Sequence, residues 1–186
     1  EDDAGYDKTA FEKMLEIKGD SDHTKLIDML TDLNDYSIGI EDVLKEHFDE
    51  ENIVYWMAFQ ILMGNVDTQN RNVYLYSPLN SDIWYFIAWD NDGYLMRSEY
   101  ELKNFSDQGS WEKGISNHWG NVLFQRCLKS RSFGEKLNDA ILELREYLNK
   151  DMLISKIESY KNVLKPYLYS MPDAENEPLT SEQFDQ

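Results

Sequence analysis

The 186-residue chain carries 36 Asp and Glu against 18 Lys and Arg, a net charge of −18. That sign excludes nucleic acid and an anionic membrane surface as partners, since each requires clustered Lys and Arg. Apolar residues at 41% and aromatics at 13% exclude a disordered chain, and the length suits one domain with a buried core.

Cys127 is the only cysteine, which excludes an internal disulfide scaffold. No run approaches the roughly 20 apolar residues that span a bilayer. The chain opens on EDDAGYDKTAF without Met and shows no secretory leader, so it is read as a piece of a longer protein.

Residues 1–20 are taken as a lead-in, with helical spacing at Phe11, Met14 and Leu15 and a break over Lys18–Asp22. Leu26, Ile27, Leu30 and Leu33 mark one face of a second helix that ends near Asn34-Asp35. Val43, Leu44, His47 and Phe48 mark a short third one. Asp49 is an N-cap, with Glu50 and Glu51 in the favourable first turn. The run Ile53–Met63 is apolar nearly all round, which predicts a helix buried on most sides, stopped by Gly64-Asn65.

A polar loop over residues 65–72 follows. Val73–Tyr76 and Ile83–Trp89 read as two strands joined by a turn, the second apolar on both faces and so expected to be covered on both. Tyr94 to Gly120 reads as a long ordered loop, a length that usually serves function; Trp111 and Trp119 are its candidate partner contacts. Three helices are then expected, around Val122–Leu128, on Leu137, Ile141, Leu144 and Leu148, and on Leu153, Ile157, Tyr160 and Leu164, with Pro166 ending the last. Residues 171–186 are expected to be an acidic linker or tail. The fold class is α+β, mainly α, with one small hairpin inserted after the most buried helix.

The chemistry concentrates in Met63–Gly93. Asp67 and Asn72 have the D-x-x-x-x-N spacing, and Asp90 and Asp92 follow the second strand. In protein kinases an Asp accepts the hydroxyl proton, an Asn five residues on binds Mg²⁺, and an Asp after a further strand holds the metals that bridge the phosphates. Hard oxygen ligands suit that task. Each residue also suits a plain role: Asp67 a helix stop, Asn72 a loop cap, Asp90 and Asp92 turn formers beside Gly93. A calcium loop from Asp90 to Glu101 is rejected because Leu95 stands where Gly is required. His23, His47 and His118 lack metal-ligand spacing, and Cys127 lies on an apolar helical face.

The G-N-x-D helix end (Gly64, Asn65, Asp67), the N-x-Y-L-Y run (Asn72, Tyr74, Leu75, Tyr76) and the W-D-x-D end (Trp89, Asp90, Asp92) resemble the spore coat protein H (CotH) kinase family of atypical, secreted protein kinases. The likeness spans about residues 20–170, with its specific part over 53–93. It implies a kinase-like C-lobe over residues 21–170, with Asp67 as catalytic base, Asn72 and Asp90 as metal ligands and Asp92 as an auxiliary one. It also implies ATP with Mg²⁺ or Mn²⁺, a protein substrate with Ser or Thr acceptors, and a place outside the cell, at its surface or in a spore coat. The chain departs from a whole kinase domain: no Gly-rich strand–turn–strand and no strand Lys occur in the first 50 residues. The N-lobe is therefore expected upstream, and the piece alone is expected to be inactive. The rival expectation is a non-catalytic cell-surface or adhesion module on the same scaffold.

Overall fold

The computed structural model describes residue 10 and residues 22–65, 72–91, 118, 120–176 and 180–185. In order these form α1 (Thr24–Asn34), α2 (Ile40–His47), α3 (Glu50–Leu62), β1 (Tyr74–Tyr76), β2 (Tyr85–Ile87), α4 (Val122–Lys129), α5 (Arg131–Tyr147), α6 (Lys150–Leu168), a 3₁₀ turn (Asp173–Asn176) and α7 (Ser181–Asp185). The mainly helical α+β class expected from the sequence is what folds. The first expected helix (Phe11, Met14, Leu15) and most of the expected loop between Tyr94 and Gly120, with Trp111 and Trp119, lie outside the described residues.

The central helix is α3. Asp49 caps it by accepting the Asn52 N–H at 2.9 Å, which satisfies a donor that the helix itself leaves open. Ile53, Met57, Ala58 and Gln60 are fully buried, and the helix lies along α5. At its C-terminus Gly64 takes φ +61°. The Gly64 N–H then donates to the Ile61 carbonyl at 3.1 Å and the Asn65 N–H to the Gln60 carbonyl at 3.0 Å. This left-handed closure needs Gly because a Cβ there is disfavoured. The Asn65 side chain, itself buried, donates to Gln60 Oε1 at 2.9 Å and fixes the direction in which the chain leaves.

An aromatic cluster joins α3, the hairpin and α4. Trp56 lies 4.7 Å from Phe86 and 5.6 Å from Phe124, and Phe86 lies 5.7 Å from Phe124. His118 meets the Phe124 ring edge-on at 5.4 Å and is buried. Cys127 is core as expected, and burial pushes its thiol up to about 12, which makes it inert.

Arg126, on α4, is buried with its guanidinium against the end of α1. It donates to the Leu33 and Ile38 carbonyls, and more weakly to those of Asp32 at 3.4 Å and Asp35 at 3.5 Å, and covers the Tyr36 ring at 5.1 Å. The last carbonyls of a helix carry partial negative charge and lack partners within it, so one planar cation with several donors serves them together. Beside it, His47 pairs with Asp32 at 2.7 Å.

Three expectations change. The strands are shorter than read, and the second is not covered on both faces: Ile87 is 43% and Trp89 52% exposed, because no layer lies on the outer side of the two-stranded sheet among the described residues. Pro166 does not end α6, which runs two residues further; it sits in the last turn, where it removes one N–H, and Ser170 Oγ donates to its carbonyl at 2.8 Å. None of the residues of α6 is buried.

Two outcomes follow. Arg126→Lys keeps the charge but loses the fork, leaving buried carbonyls unserved; urea unfolding is expected to show a loss of about 1–3 kcal/mol. Burial lowers the His118 pKa from its ordinary 6.5 to about 4. The fold therefore holds it neutral, while the unfolded chain takes a proton below its ordinary pKa. This contribution is whole above that value and is lost as pH falls towards the folded one, by about 2 kcal/mol between about pH 7 and pH 5. His118→Gln is expected to flatten that difference in urea unfolding at the two pH values.

Candidate functional site

β1 and β2 pair antiparallel with Tyr74 opposite Ile87, Leu75 opposite Phe86 and Tyr76 opposite Tyr85. Asn72 precedes β1 and Asp90 follows β2, so the ladder places both at the same end. The Tyr74 and Trp89 rings, 4.9 Å apart, close that end. Asn72 has φ +55° and Asp90 φ +47°, and they are the two non-glycine residues in the left-handed region among the described residues. Such backbone costs energy for an L-residue, and Asn and Asp tolerate it best. It persists where the surroundings over-determine it, which is common at functional sites. Next to Asp90 in the chain, the buried Asn91 Oδ1 has no hydrogen-bond partner among the described residues.

The outer edge of β2 carries the hairpin. The Trp84 N–H donates to the His47 carbonyl at 2.7 Å, and the Asp49 N–H donates to the Trp84 carbonyl at 3.1 Å. One step along, the side-chain amide of Asn52 replaces a third strand: its Oδ1 accepts from the Phe86 N–H at 2.7 Å and its Nδ2 donates to the Phe86 carbonyl at 3.2 Å. Thus the α2–α3 junction satisfies the edge that an isolated hairpin would expose. Lys25 of α1 holds the opposite end, donating to Ser77 Oγ at 3.1 Å, to the Pro78 carbonyl at 2.8 Å and to the Ser81 carbonyl. Asn52 and Lys25 escaped the sequence reading. Asn at the third position of a helix and Lys on an exposed helix face are ordinary, and only the fold reveals their cross-chain targets.

Of the four expected site residues, Asn72 and Asp90 are brought to one end of the hairpin. Asp67 and Asp92 lie outside the described residues. Among the described residues no three His, Cys, Asp or Glu side chains converge as a metal centre. The side-chain oxygens of Asn72 and Asp90 are of the hard type that a divalent cation takes. A groove of about 330 Å³ between α3 and α5 contains none of these residues; its Glu50 is paired with Lys136 at 2.6 Å and its Glu143 with the Tyr55 hydroxyl.

A family model described as CotH kinase protein matches residues 1–186, the whole chain. The chain has no match among curated proteins or among solved structures. No helix among the described residues is long and apolar enough to cross a membrane.

Asn52→Asp keeps an acceptor for the Phe86 N–H but sets a carboxylate against the Phe86 carbonyl. A loss of about 1–3 kcal/mol is expected in urea unfolding, with faster hydrogen exchange at the Phe86 amide as its local signature.

Proposed function

The chain belongs to the CotH kinase protein family, and from that membership we propose that the complete protein transfers the γ-phosphate of ATP to Ser or Thr hydroxyls of a protein substrate. The observation that carries this reading is the pair of left-handed residues Asn72 and Asp90 at one end of the hairpin. Backbone strain at those two positions is what a site that fixes ligand geometry would retain.

In this reading Asp67 orients the acceptor hydroxyl and takes its proton as the hydroxyl oxygen bonds to the γ-phosphorus and ADP leaves. Asn72 and Asp90 hold the divalent ions, Mg²⁺ or Mn²⁺, with Asp92 as an auxiliary ligand. The metal's part would be to neutralise phosphate charge. Placement outside the cell, at its surface or in a spore coat, is part of the same proposal.

The second reading is a non-catalytic surface or adhesion module on this scaffold, which binds no nucleotide even in the full-length protein.

Asp67→Asn and Asp90→Asn in the full-length protein are each expected to lower phosphorylation with ATP and Mn²⁺ or Mg²⁺ by about 10²–10⁴-fold. Undiminished transfer by both variants sinks the site assignment. No nucleotide binding by the full-length wild type favours the non-catalytic reading.

A further inference from the structure

Imidazole is the side chain whose charge ordinarily changes between pH 5 and 8. The surroundings of His118 do not accommodate that change. It is 3% exposed, its ring meets Phe124 edge-on at 5.4 Å, and among the described residues its buried Nδ1 has no hydrogen-bond partner. Protonation makes both ring nitrogens donors. It therefore puts a charge and an unserved N–H into an aromatic cluster, where each is costly. The proton is taken far more readily once the ring has left its seat.

That seat is shared with the hairpin. The Phe124 ring that meets His118 also meets Trp56 at 5.6 Å and Phe86 at 5.7 Å. Phe86 is the middle residue of β2, its backbone is paired with the Asn52 amide, and its strand leads to Asp90. No charge on these elements compensates an imidazolium. On α4 the Arg126 guanidinium serves the Leu33 and Ile38 carbonyls, Lys129 ends the helix, and Cys127 is a neutral thiol. On α3 Glu50 pairs with Lys136, Tyr55 with Glu143, and Glu51 lines the groove towards α5. β2 carries Tyr85, and Asp90 lies beyond its end. Burial is accordingly the one cause that lowers the His118 pKa to about 4.

We propose that His118 is an acid-released latch on the hairpin: neutral, it seats on Phe124 and holds the ring cluster closed; protonated, it leaves that cluster and frees β2. Its consequence for Asp90 rests on the phosphoryl-transfer reading, but the latch itself does not, and its test reads the hairpin rather than activity.

Amide hydrogen exchange of the whole chain, corrected for the intrinsic pH dependence of exchange, reads the latch. Between pH 7 and pH 5 the Phe86 amide is expected to lose about 20-fold in protection, because the released ring takes a proton that the seated ring refuses. His118→Gln and His118→Phe cannot titrate and should show no such fall. The opening should be local: low urea should speed exchange at the amide of Met57, fully buried on α3, and leave Phe86 unchanged. In NMR spectra of the wild type the His118 imidazole should titrate well below its ordinary 6.5. Should neither variant fold, the urea and imidazole measurements decide alone. Undiminished protection of Phe86 in acid overturns the proposal, as does a fall that persists in the variants. So does a single urea dependence shared by Phe86 and Met57, which makes the opening global. Titration of the imidazole at its ordinary value overturns it as well.

Discussion

A two-stranded hairpin is marginal by itself, and the candidate site hangs on one. What makes it a fixed object is the edge of β2, where the backbone of His47 and Asp49 and the amide of Asn52 satisfy Trp84 and Phe86 in succession. The same few residues end α2, cap α3 and start the central helix. Hence the orientation of α3 and the position of β2 are one constraint. Asn65 and Gln60 at the far end of α3 and Asp90 beyond β2 are both referred to that junction. The aromatic contacts of Trp56 with Phe86 and Phe124 then fix the hairpin face by area burial and ring geometry, while the amide pair fixes its register.

Charge is used in two separate ways. The excess of carboxylate keeps the surface solvated, while several of the scarce cations have internal tasks. Arg126 closes the end of α1, Lys25 gathers the turn between the strands, and Lys136 meets Glu50. Each serves groups carried by another element, and two of the three serve backbone carbonyls. In such places the loss of a side chain costs more than one ion pair, since an exposed pair is worth little and an unserved buried carbonyl is costly.

Much of the architecture was legible in the residues. The buried run Ile53–Met63 with Asp49 before it and Gly64 after it yields α3 almost to the residue, because caps and all-round apolarity are local signals. Helical spacing likewise located α1, α4 and α5. The hairpin was legible in existence but not in exposure. Ile83–Trp89 is apolar at nearly every position, and sequence cannot say whether a covering layer exists; here Ile87 and Trp89 face outward. The helical spacing of α6 was legible but its exposure was not, because a repeat does not say what covers it. The positions of Asn72 and Asp90 at the strand ends were legible in the sequence. Their left-handed backbone was not, nor was the support from Asn52 and Lys25, which depends on contacts 34 and 52–56 residues away.

The 5.7 Å contact between Phe86 and Phe124 has a further consequence. It ties the strand that leads to Asp90 to α4, whose Arg126 is anchored on the Leu33 and Ile38 carbonyls. Close-packed interiors transmit strain, so a change that shifts α4 is passed through that ring pair to the strand on which Asp90 depends.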